Sequence, residues 1–155
     1  MQKDTLQNSI VSLYLEYYDH PIEEGVLPET LEQLHMGFDF NQPIKNGTLP
    51  NSITKLNLGR SYNQPIEEGV LPNSLEKMVF GCSYGLKFTN ILPESLITLE
   101  VGSGYRKSFD KGSFPKSLKV LIIKHNYNRE FEPGVLPESL IHLEIGNGYN
   151  QPFKK

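Results

Sequence analysis

A chain of 155 residues with 37% hydrophobic content and a formal net charge of −3 fits a single domain, residues 1–155, and lacks the basic field that holds a phosphate backbone. Nucleic acid is therefore not an expected partner. No apolar run approaches the ~20 residues that cross a bilayer, the opening Met1-Gln2-Lys3-Asp4-Thr5-Leu6 lacks the apolar centre of a signal peptide, and the lone Cys82 excludes an internal disulfide, so a cytoplasmic protein without membrane contact is expected.

In chain order, one segment recurs in turns that start near residues 6, 27, 49, 71, 92, 114 and 136. The first turn carries Gln7 in the proline place. Thereafter the step is Leu27-Pro28, Leu49-Pro50, Leu71-Pro72, Leu92-Pro93, Phe114-Pro115 and Leu136-Pro137. A unit of about 22 residues cannot bury its own apolar face, so each must stack on the next and the chain becomes a solenoid. After each step come three apolar positions: Leu31, Leu34, Met36; Ile53, Leu56, Leu58; Leu75, Met78, Phe80; Leu96, Leu99, Val101; Leu118, Leu121, Ile123; Leu140, Leu143, Ile145. The last two of each set alternate with a residue free to be polar, the period of a half-buried strand. Proline and glycine punctuate the turns and alanine is absent. The expected fold is mainly β, seven turns with one short parallel strand each and little or no α-helix.

Further columns complete the turn. Aromatic residues stand at Tyr18, Phe40, Tyr62, Tyr84, Tyr105, Tyr127 and Tyr149, each followed four residues later by a bulky apolar side chain, Ile22, Ile44, Ile66, Phe88, Phe109, Phe131 and Phe153. Hydroxyls recur at Ser9, Thr30, Ser52, Ser74, Ser95, Ser117 and Ser139, where they are expected to satisfy backbone groups at the bend before each strand. Gly25, Gly47, Gly69, Gly112 and Gly134 fall where the chain reverses and needs positive φ, and Asn90 takes that place in the fourth turn.

This pattern resembles the FNIP repeat, a class of leucine-rich repeat, over roughly residues 6 to 155. Its most specific stretches are Phe40-Asn41-Gln42-Pro43-Ile44, Tyr62-Asn63-Gln64-Pro65-Ile66 and Tyr149-Asn150-Gln151-Pro152-Phe153. The resemblance implies a leucine-rich-repeat solenoid and a source among giant DNA viruses or social amoebae. Relatives often carry an F-box ahead of the repeats; with only five residues before Leu6, that role would fall to another chain. The middle turns depart from the pattern, with Gly85-Leu86-Lys87, Arg106-Lys107-Ser108 and Asn128-Arg129-Glu130 in place of Asn-Gln-Pro, which leaves the bend there open.

Nothing in the chain points to an enzyme, a cofactor or a metal. His20, His35, His125 and His142 sit at unrelated places in their repeats and show no ligand spacing. Glu23-Glu24 and Glu67-Glu68 read as solvated edges, and Cys82 as a plain small residue with no base beside it.

What varies between turns is more informative. The strand positions that alternate with the core present Tyr14, His35, Asn57, Val79, Glu100, Ile122 and Glu144 in one row, and Ser12, Gln33, Lys55, Lys77, Thr98, Val120 and His142 in the other. A constant core under a variable face is the pattern of a recognition surface for a protein partner. Tyr14, His35, Lys55, Asn57, Lys77, Val79, Glu100, Val120, Ile122, His142 and Glu144 are the candidate contact residues, with Val79, Val120 and Ile122 expected as exposed aliphatic groups that something covers. If the chain is viral, a host protein in the host cytoplasm is the expected partner. The alternative is a self-assembling structural protein. Residues 1–5 and 153–155 are the only candidate caps for the ends of the array, so a homodimer covering an end or the sheet face is the expected state.

Overall fold

A computed structural model describes residues 6–154. The described residues contain no helix, and the strands are β1 (Ser12–Leu15), β2 (Gln33–Met36), β3 (Lys55–Asn57), β4 (Lys77–Phe80), β5 (Thr98–Val101), β6 (Val120–Ile123) and β7 (His142–Ile145). They form one seven-stranded sheet in chain order, every neighbouring pair parallel. The register is that of the repeat: Leu34 faces Leu56, Leu56 faces Met78, Met78 faces Leu99, Leu99 faces Leu121, and Leu121 faces Leu143. Seven strands thus sit on six full coils of a β-solenoid.

Each coil closes through two tight turns. At the Leu-Pro step the proline carbonyl accepts the N–H three residues on, as in Leu75 N to Pro72 O at 3.1 Å and Leu118 N to Pro115 O at 3.2 Å. On the return path Val70 N donates to Glu67 O at 3.3 Å, with Gly69 at φ 82° in the position that demands a left-handed residue. Asn90 holds the same conformation at φ 53°, as its place in the fourth turn requires.

The hydroxyl column does more than finish a bend. Ser52, Ser74, Ser95, Ser117 and Ser139 each donate from Oγ to a carbonyl of the preceding coil, Leu31, Ile53, Leu75, Leu96 and Leu118, at 2.7 to 2.8 Å. These side chains therefore stitch turn to turn.

The Asn-Gln-Pro stretch has an equally physical role. Asn41 Oδ1 accepts the backbone N–H of Asn63 at 2.9 Å and the Gln64 amide at 3.3 Å, and Asn63 Oδ1 accepts Gly85 N–H at 3.0 Å. Asp19 begins this ladder by accepting Asn41 N–H at 2.9 Å and Gln42 Nε2 at 3.0 Å, bonds that hold its carboxyl below the usual range. Gly85 has no side chain to pass the ladder on. Arg106 Nη1 instead donates within its own turn to Ser103 O and Tyr105 O at 2.6 and 2.9 Å, and Arg129 Nε reaches back one coil to Arg106 O at 3.0 Å. Asn128 restores the ladder by accepting Asn150 N–H at 2.9 Å. The bend survives without proline, since Tyr84, Phe88, Tyr105, Phe109, Tyr127 and Phe131 all stay buried.

The core is a single continuous spine. Leu34, Leu56, Met78, Leu99 and Leu121 are 0 to 1% exposed, and the alternation of strand burial follows the expected period. Behind them the aromatic column stacks from coil to coil, with Phe40–Tyr62 at 5.9 Å and 7°, Tyr62–Tyr84 at 6.3 Å and 10°, and Tyr127–Tyr149 at 6.3 Å and 1°. Rings so nearly parallel are related almost by translation, so the aromatic column advances coil by coil together with the strands.

The hydroxyls of Tyr62, Tyr105, Tyr127 and Tyr149 are buried and form no hydrogen bond of ordinary geometry. Burial drives the phenol pKa of Tyr62 strongly upward, the approach of the Ile44 N–H offsetting it in part, and pushes that of Tyr84 up to about 12. An unmet buried hydroxyl costs about 1–3 kcal/mol. Tyr62→Phe, which copies Phe40 of the same column, is expected to be neutral or to stabilise by about 1 kcal/mol, a rise in melting temperature of roughly 2–4 °C. A fall of that size would mean that the Ile44 amide is a genuine partner.

Of the expected caps, residues 1–5 and 155 lie outside the described residues. Phe153 stacks on Phe131 at 6.5 Å although 62% exposed, and Lys154 reaches back to Glu130 at 3.0 Å and Glu132 at 3.6 Å.

Candidate partner-binding face

The outward rows of the sheet bring the sequence-derived residues onto one surface in parallel register. Tyr14 lies beside His35, His35 beside Asn57, Asn57 beside Val79, Val79 beside Glu100, Glu100 beside Ile122 and Ile122 beside Glu144. The second row runs Ser12, Gln33, Lys55, Lys77, Thr98, Val120 and His142. Every candidate contact residue is on this face.

Its two ends differ in chemistry. Across β1 to β4 the Tyr14 and His35 rings stack at 4.3 Å and 12°, with Tyr14 63% exposed. A cleft of about 230 Å³ opens beside them, bounded by Gln33, Lys55, Asn57, Lys77 and Val79. Lys77 is drawn to Glu100 at 2.6 Å, whereas Lys55 has no carboxylate partner among the described residues. His35 is held below the ordinary histidine pKa by burial first and then by the charges of Lys55 and Lys77, so its imidazole stays neutral near neutral pH. Asn57 Oδ1 accepts the Gly59 N–H at 2.9 Å, an Asx turn that ends β3 one residue early.

At the other end, Val120 and Ile122 are half-buried, as is Val79. The expected open aliphatic patch is thus narrower and interrupted. Glu100 stands between Val79 and Ile122, and Glu144 lies on the far side of Ile122, with His142 4.0 Å from its carboxylate.

Sequence reasoning missed one aromatic pair. Tyr17 and Phe38, 72% and 52% exposed, stack at 5.9 Å just past β1 and β2. Their signal was present as large side chains in a column that elsewhere holds Arg60, Cys82 and Ser103. Cys82 is exposed, with the Ser103 hydroxyl 3.4 Å from its sulfur. Among the described residues no three His, Cys, Asp or Glu side chains gather as a metal site would require, and no helix is long and apolar enough to cross a membrane.

Comparison with curated proteins finds no match. Among solved structures the chain is similar to CroV588, a novel circular LRR protein from a giant virus (CroV), with a TM-score of 0.77 and 33% identity over 97% of this chain. It spans about a quarter of that protein, 26% of its length. The FNIP Repeat family matches residues 1–39, 40–83, 87–125 and 127–155. Its period, its stacked parallel strands and its nearly complete family match agree: the chain belongs to the FNIP repeat family and has a leucine-rich-repeat fold.

Proposed function

We propose that the protein is a non-enzymatic scaffold that binds a protein partner through its variable strand face. One contrast carries this reading. One inward row is leucine or methionine from β1 to β7 and the other is apolar throughout, while the outward rows place a different pair of side chains on every strand. Packing accounts for the first and leaves the second free to be chosen for a partner. The likeness to a giant-virus protein favours a viral protein that engages a host protein in the host cytoplasm.

Val120→Asp combined with Ile122→Asp tests the proposal. Both residues are half-buried on the outward face, so the fold should persist, with far-UV circular dichroism unchanged and a cost of about 1 kcal/mol. A partner captured by the wild-type protein, identified and purified, should lose at least about thirtyfold in affinity for the double variant, the effect of deleting a hot spot. An unchanged dissociation constant and unchanged oligomeric state would contradict the reading. If the wild-type protein forms a defined dimer that the variant cannot form, and no other protein is captured, self-assembly replaces it.

A further inference from the structure

The outward strand face has one feature that packing does not explain. Lys55 and Lys77 stand directly opposite each other on neighbouring strands, an arrangement of like charges that costs a sheet stability. Glu100 offsets Lys77 only, and the protein as a whole is negative. The His35 imidazole beside them is neutral and contributes a flat ring, stacked under the exposed Tyr14. With Asn57 Oδ1 occupied by the Gly59 amide, the Asn57 NH₂ has no partner among the described residues and is a third donor at the same cleft.

Resting on the function proposed above, we infer that the β1 to β4 part of the face receives an extended acidic peptide segment of the partner. One carboxylate of that segment seats between Lys55, Lys77 and the Asn57 amide, and a neighbouring apolar side chain lies on the Tyr14–His35 shelf beside Val79. Charge complementarity selects the occupant, because a carboxylate relieves the facing lysines. The span from β1 to β4 is about 14 Å, three strand spacings, which matches roughly four residues of extended chain. A lone phosphate would use the lysines and leave the aromatic shelf bare.

The test is fluorescence anisotropy with a fluorescein-labelled hexapeptide of alternating glutamate and leucine, set against its glutamine twin at low ionic strength. The wild-type protein should prefer the glutamate peptide by about tenfold, the effect of one close charge pair. Lys55→Glu should abolish that preference, Lys55→Arg should keep it, and added salt should weaken it. Lys55 is exposed, so these variants should fold, and their melting temperatures check this. Equal binding of both peptides, or full preference in Lys55→Glu, would overturn the inference, as would displacement of the peptide by a short single-stranded oligonucleotide with higher affinity. The Val120→Asp, Ile122→Asp variant separates the two proposals. If it loses the natural partner while wild type shows no acidic preference, the peptide site falls and the scaffold reading stands; if neither measurement responds, both fall.

Discussion

Gly81→Ala should lower stability by about 3 kcal/mol, the upper part of the range for forcing atoms into a filled space. A Cβ at Gly81 would lie 1.7 Å from the Gly59 carbonyl oxygen and 2.7 Å from the Arg60 Cα. Both are backbone atoms, so no rotamer relieves the collision. The coils carrying β3 and β4 would have to part, straining the bonds from Leu58 N to Val79 O at 3.0 Å and from Ser83 N to Arg60 O at 3.0 Å. Gly69→Ala is the control. It is strained in φ at 82°, yet nothing lies within 4 Å of its would-be Cβ, and the cost should be about 1–2 kcal/mol. For a chain of this size the two variants should lose roughly 6–12 °C and 2–8 °C in thermal melts followed by circular dichroism. Lys124 occupies the Gly81 column in the sixth turn, so the requirement belongs to the local stacking and not to the repeat as such. Equal losses for the two variants would contradict this account.

The second large effect is Leu99→Ala, expected at 2 to 5 kcal/mol by the usual range of about that size for a buried leucine. Leu99 is 0% exposed and lies between Met78 and Leu121 in the spine. In a solenoid each coil is held only by its neighbours, so one truncation weakens the interfaces on both sides. Thr98→Ala, one residue earlier on the outward row, should stay within about 0.5 kcal/mol. Urea titration of the pair provides the check, and comparable losses would mean that the inward and outward assignments are wrong.

The architecture was legible in the sequence because it rests on columns. The recurrence of Leu-Pro, the alternation around Leu99 and Val101, and the glycines at the reversals fixed the period, the strand and the return turn, and Gly69 and Asn90 adopt the backbone conformation expected of them. Features that depend on contact between coils were not legible. Ser95 looked like a residue of its own bend, but its hydroxyl bonds Leu75 O one coil below. The Asn-Gln-Pro stretch was visible as a motif, yet only coordinates link Asn41 to Asn63 and explain why Gly85 ends that ladder. The outward rows were correctly enumerated from alternation. Their chemistry was not, because the pairing of Lys77 with Glu100 is a diagonal contact between neighbouring strands that leaves Lys55 unmatched.

Methyl and amide cross-peaks in a nuclear Overhauser spectrum test the stacked spine most directly. Leu56, Met78, Leu99 and Leu121 should give a chain of cross-peaks, each to the next about one coil away in sequence, while the Ile122 methyls show contacts to Glu100 and Glu144 and none to Leu99 of the interior row. A spectrum with only short-range contacts for those four residues, or with Leu99 broadened by a paramagnetic probe in the solvent, would contradict the stack of coils on which every conclusion about the face depends.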